Sequence, residues 1–329
     1  MSKFSQGQRF RTKDSALAYY INQLENFDPK LYEPLTSVSW GRDIKLRTGI
    51  TMSNESTSYI RSAFAGGGSL SNPATASSGG NMPWISAETT AIEGVSVNGE
   101  KIATPLRLLG REISYTSVEL ERSQLTGQPI DTQKLSAMNT LYQMNTDQMV
   151  YIGSSDVVVT GLFNDASVTT GTVANGIAGT PAWTTKTPDE ILADVNTLVE
   201  SAWSASAFAV CPSELRLPPF QFSYIASQKV SSAGNVSILK FLEENSISLK
   251  INGKALNIQP VKWLTGRGAG STDRMVAYTN EEDRVRFTMV PIRRETAYYQ
   301  GIRYIAPYIW AFGGIELVYP ETVQYADGI

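Results

Sequence analysis

The sequence predicts an α+β fold: one long helix laid across a sheet, a strand-rich C-terminus that closes the sheet, and a smaller α+β module inserted between them. Three observations carry this. After Asp131, which can cap, Leu135, Met138, Tyr142, Asn145, Met149 and Ile152 recur at alternating steps of three and four. All but Asn145 are apolar or aromatic, so the run has a single buried stripe, and Gly153 supplies a stop. Such a helix of about 22 residues is about 33 Å long, which suits a spine better than one member of a bundle. The second observation is the apolar, aromatic end of the chain, Val285–Val290 and then Tyr304–Val318, which has to be tied into a sheet. The third is Thr187-Pro188-Asp189-Glu190, a cap, a proline at the first helical position and a capping-box glutamate, which opens a new module.

Composition limits the chemistry. The chain has 329 residues, no histidine and one cysteine, Cys211. That length suits about two domains with ample core. Without histidine there is no His-based triad, imidazole base or His–metal site, and a lone cysteine leaves no intrachain disulfide and no thiolate zinc site. The charged fraction is 18%, below the usual value of about a quarter, as in a subunit that hides much of its surface against neighbours. A net charge of −3 gives no footprint for gripping nucleic acid. No apolar run is long enough to span a bilayer, and Met1 to Thr12 lacks the apolar core of a signal peptide.

Residues 1–47 read as an arm. One amphipathic helix (Leu17, Tyr20, Ile21, Leu24) is followed by anchors without period, Phe27, Tyr32 and Trp40. They fit a strap lying on another surface, or an irregular segment folded on its own domain. Residues 48–100 form an extended loop: a strand at Ser58–Phe64, a tip rich in glycine (Gly66, Gly67, Gly68, Gly79, Gly80), and a return through Trp84 and Ala91–Val97. A lone hairpin is marginal in water, and the tip lacks the Lys-Ser/Thr ending of a phosphate loop. An arm that orders on a neighbouring subunit is the better reading. Asn98-Gly99 is a hairpin signal. Residues 101–165 hold the approach to the spine, a short helix started by Thr116 and Glu119 with Tyr115 stapled to Leu120, the spine itself, and a strand and turn at Val157–Asn164.

Residues 166–282 form the second module. Ser167–Thr185 is loop-like, and the helix after Thr187 has the stripe Ile191, Val195, Leu198 and Ala202. Ala207–Pro212 reads as a buried strand, Asn235–Asn245 as a helix, Ile251–Leu256 as an Asn-Gly hairpin, and Met275–Tyr278 as the closing strand. Residues 283–329 are strands returning to the spine domain.

This order of parts resembles the major capsid proteins of tailed bacteriophages with the Hong Kong 97-type fold. The resemblance rests on Arg107, Gly110, Tyr115, Thr116, Glu119 and Leu120, on the Gly161-Leu162-Phe163-Asn164 turn, and on Tyr308–Ile315. It implies an N-terminal arm, an extended loop, a peripheral domain with the spine helix and an axial domain near capsomer axes. It also implies hexamers and pentamers of this chain in an icosahedral head, assembled in the host cytoplasm, with a portal, packaged double-stranded DNA and in some cases a decoration protein. Two departures matter. The chain carries no long N-terminal scaffolding region, which points to a separate scaffolding protein. The extended loop has no lysine for the covalent cross-linking that some members carry out.

On this reading the assembly residues are Tyr20, Phe27, Tyr32, Trp40, Gly66, Gly67, Gly68, Gly79, Gly80 and Trp84, with no catalytic, cofactor or metal site and no membrane partner. An encapsulin-like nanocompartment shell is the alternative. A metal-dependent enzyme is the reading from another class. Its only acidic cluster, Glu281-Glu282-Asp283, lies on a turn where adjacent carboxylates do not converge on one ion.

Overall fold

The computed structural model describes residues 35–66, 95–126, 130–231 and 234–329. A short helix α1 (Trp40–Asp43) leads to β1 (Lys45–Leu46), then β2 (Ser56–Gly66), β3 (Val95–Pro105) and β4 (Arg107–Thr116). The capping box at Thr116 forms as read: Glu119 N donates to Thr116 Oγ1 (3.2 Å) and Thr116 N to Glu119 Oε2 (3.0 Å), opening α2 (Ser117–Thr126). The staple does not form; Tyr115 stacks on Tyr304 and Leu120 is exposed.

The spine helix, α3 (Ile130–Tyr151), has 22 residues and ends before Gly153, whose φ of 67° is left-handed. Met138, Tyr142 and Met149 are buried, but Leu135 is exposed. Beside it, Lys134 Nζ bonds Ser114 O in β4, which is an edge strand among the described residues. The spine's last turn is more buried than a single stripe predicts. Thr146, Asp147, Val150 and Tyr151 are all covered, because the second module and the segment before β1 lie against the opposite face.

Val157–Val159 is not a strand. Leu162 N and Phe163 N donate to Val150 O (2.8 Å) and Tyr151 O (3.0 Å), so the chain turns back at once and satisfies carbonyls left open at the spine's end. Gly161 makes this approach possible, since a Cβ there would lie 2.3 Å from the Tyr151 carbonyl carbon.

The main sheet is built on β11 (Arg303–Leu317). One edge of β11 pairs antiparallel with β4, from Arg303↔Thr116 to Phe312↔Arg107. The other edge takes β10 (Tyr298–Gln300) and then β9 (Val285–Arg294), and β1 joins β9 in parallel. The second sheet has the order β5 (Thr169–Thr172), β12 (Gln324–Asp327), β8 (Arg274–Tyr278), β6 (Glu214–Leu217), β7 (Asn257–Pro260). Two expectations change here. Ser167–Thr185 contains a strand, and the C-terminal strands do not all return to the spine domain, because β12 pairs with β5 and β8.

This second sheet is buried on both faces by simple alternation. Val276, Tyr278 and Tyr325 pack into the core under the spine, while Met275, Ala277 and Ala326 pack with α4 (Pro188–Ala205) and the helices that follow. The α4 start has the full capping box at Thr187 and Glu190, and Ile191, Val195, Leu198 and Ala202 are buried.

Three local expectations fail for local reasons. Asn98-Gly99 lies within β3, opposite Ala63 and Ser62, in a ladder that runs unbroken from Ser56↔Pro105 to Gly66↔Val95. Ala207 and Phe208 have φ of 55° and 61°, with Trp203 Nε1 donating to Phe208 O at 2.9 Å; this turn ends α4 and delays the strand to Glu214, although Cys211 is buried. Asn252-Gly253 is a helix end, Gly253 being the left-handed cap of Ile247–Asn252.

Candidate assembly surface

The β2–β3 hairpin forms a sheet of its own. Strands of 11 residues at about 3.3 Å per residue reach about 36 Å, and both Ile60 and Val97 are exposed on them. The root, by contrast, is held by a buried charge. Glu316, on β11 opposite Arg286 of β9, is 2% exposed. Its Oε1 accepts from Arg47 Nη1 (2.7 Å) and Thr57 Oγ1 (2.8 Å), and its Oε2 from Arg286 Nε (2.7 Å). Arg47 Nη2 also donates to Ser58 O (3.0 Å), and Tyr59 Oη to Leu317 O (3.2 Å). Arg61 pairs with Glu321 at 2.9 Å, where both side chains are partly exposed. Burial pushes the Glu316 carboxyl up. The hydrogen bonds from Arg286 and Thr57 and the two guanidinium charges outweigh it, and the carboxyl sits below its ordinary range.

A second buried hub ties the segment before β1 to both sheets. Asp147 on the spine accepts from Ser39 N (2.8 Å), Trp40 N (3.1 Å) and Trp263 Nε1 (2.7 Å). Asp43 is fully buried and accepts from Arg42 Nε at 2.6 Å and from Tyr151 Oη. Arg216 Nε of β6 lies 3.0 Å from Asp43 Oδ1, a charge contact without hydrogen-bond alignment. Tyr278 Oη donates to Asp43 O at 2.6 Å. Burial, with the Asp43 charge beside it, pushes the Tyr151 phenol far up, so it stays a donor.

Of the residues read from the sequence as assembly contacts, Trp40 lies in α1, packed on its own core with Nε1 donating to Gln143 Oε1 at 2.9 Å. Gly66 ends β2 opposite Val95. Tyr20, Phe27, Tyr32, Gly67, Gly68, Gly79, Gly80 and Trp84 lie outside the described residues. Sequence reasoning missed Arg47, Thr57, Arg286 and Glu316, which converge from four places in the chain with no local motif. It also missed the exposed aromatic and apolar tip of the main sheet, Tyr298, Tyr299 and Ile302. Glu281 of the acidic cluster pairs with Arg284 on its turn, and among the described residues no three His, Cys, Asp or Glu side chains gather as metal ligands.

A spine helix over a sheet, a projecting hairpin and a second sheet reached by the chain's last strand define a shell-building subunit of the Hong Kong 97-type fold. The chain belongs to the major capsid protein family, whose model matches residues 80–329. Among solved structures it is similar to the capsid of Myoviridae Phage XM1, with a TM-score of 0.74, 15% identity and coverage of 94% of this chain and 98% of that one. It is similar also to a Mycobacterium phage Che8 chain (TM-score 0.53, 10% identity, 92% and 96% covered). A virus-like particle from Pyrococcus furiosus is a further match (TM-score 0.50, 13% identity, 87% and 91% covered). No significant match is found among curated proteins.

Proposed function

We propose that this major capsid protein builds an icosahedral phage head from hexamers and pentamers of itself, enclosing double-stranded DNA without reading its sequence. The observation that carries the reading is the β2–β3 hairpin. It exposes Ile60 and Val97 on two strands that pair, among the described residues, only with each other, an arrangement unstable alone and suited to lying on a neighbour. A separate scaffolding protein directs closure, a portal occupies one vertex, and a decoration protein is an optional further partner. The near-neutral charge suits a wall that contains dense DNA without gripping it. The protein has a structural role and turns over no substrate.

The experiment removes residues 66–80. The subunit should keep a cooperative thermal transition, because both cores among the described residues are built from other side chains, and should form no closed shells under the electron microscope. Wild-type particles from the deletion would overturn the reading. Particles of the full chain filled with protein rather than DNA would favour the nanocompartment.

A further inference from the structure

We propose that Glu316 is a charge latch fixing the direction in which the β2–β3 hairpin leaves the body, closed while its carboxylate is ionised and released when it is protonated. The geometry sets this residue apart from an ordinary buried ion pair. Its partners come from separate pieces of chain: Thr57 from the hairpin, Arg286 from β9, and Arg47 from the segment joining β1 to the hairpin. Arg47 holds the carboxylate with one nitrogen and the hairpin's Ser58 carbonyl with the other. Two of the hairpin's side-chain and backbone tethers therefore pass through a single carboxylate.

Protonation changes this arrangement in one direction. A neutral carboxylic acid has one oxygen left as a good acceptor, while Arg47 and Arg286 remain charged and face each other across it. Two partly buried guanidiniums with no anion between them repel, and the easier piece to move is the one with least of its surface in the core. That piece is the hairpin, since Arg286 is fixed in a five-stranded sheet. The remaining groups near the root do not take over. Arg61 and Glu321 form a partly exposed pair of their own. Tyr59 is a phenol that burial and the Glu316 charge hold protonated. Because the native Glu316 carboxyl lies below its ordinary range, the latch is fully closed above that range. It opens only as pH falls through the lowered native value.

The latch is a property of the single chain; only its effect on neighbour contact rests on the proposed assembly. The test is hydrogen exchange of the full-length unassembled subunit at about pH 7, above the ordinary glutamate value, and at the lowest pH at which the subunit stays folded, corrected for intrinsic exchange. Amides of Thr57–Arg61 and Lys101–Thr104 should lose protection by about tenfold or more on acidification, while those of Trp310–Ile315 keep theirs. Glu316→Gln should show the loosened root already at neutral pH, with no further change in acid. Thr57→Val, which removes the hairpin's own bond and leaves the ion pairs, should loosen the root at both pH values if Glu316→Gln fails to fold. Root protection that is independent of pH, or unchanged in the folded variants, would refute the latch while leaving the shell reading intact.

Discussion

At the level of single residues, the fold depends on a few positions where no other side chain fits. Gly161 is one: a methyl group there would meet the backbone of Tyr151 at 2.3 Å, and neither partner is a side chain that can rotate away. Gly161→Ala should therefore cost about 3 kcal/mol, the upper end of ordinary overpacking, measured by denaturant unfolding. A loss under about 0.5 kcal/mol, typical of a surface change, would show that the turn relaxes freely. In the sequence this glycine was visible only as part of Gly-Leu-Phe-Asn. Its reason, the approach of a returning chain to the end of the spine, is a tertiary contact that no local pattern encodes. The same holds for Glu316, whose neighbours in sequence are apolar strand residues and whose partners lie as far away as Arg47 and Thr57.

At the level of elements, legibility followed the strength of local signals. Helix starts at Thr116 and Thr187 were readable because a cap and its glutamate lie three residues apart and need nothing else. Asn98-Gly99, Asn252-Gly253 and Val157–Val159 were misread because each signal is compatible with more than one setting and the sheet or helix around it decides. The spine was legible in length and in the middle of its stripe, while its ends depended on where the sheet stops. Tyr142 is the test of that stripe. It is buried, meets Trp310 edge-on at 5.6 Å and stacks on Phe312 at 6.4 Å. Tyr142→Ala should cost about 3–5 kcal/mol, as for a large aromatic removed from a core. A change below about 1 kcal/mol would mean that the helix does not rest on β11.

At the level of the whole molecule, the sequence showed two modules but not how they are joined. The second sheet belongs to both, with Tyr278 and Tyr325 facing one core and Ala277 and Ala326 the other, so the inserted segment is not an independent domain. The chemistry available between copies was legible, because it depends on composition. Residues 48–100 contain no lysine, and Arg61 is their only cation; a guanidinium stays protonated and is a poor nucleophile. Cys211 is buried, and burial pushes its thiol up, away from the reactive thiolate. Particles boiled in detergent with reductant should run as one band near 35.9 kDa. A ladder of multimers would show covalent closure.

The position of β11 has a consequence for how the protein is made. Its register joins Arg303 to Thr116 and Leu317 to Val285, so the central strand of the main sheet leaves the ribosome after every strand it pairs with. Until then β4 lacks its β11 partner, β9 lacks its main neighbour, and the Tyr142 face of the spine lacks the Trp310 and Phe312 it packs on. Pairings so distant in sequence form slowly, and the waiting strands and apolar faces are open to other nascent copies. Completion of this core is thereby tied to synthesis passing Leu317. A chain that stops before β11 therefore lacks both the strand under its spine and the Glu316 carboxylate that roots its hairpin.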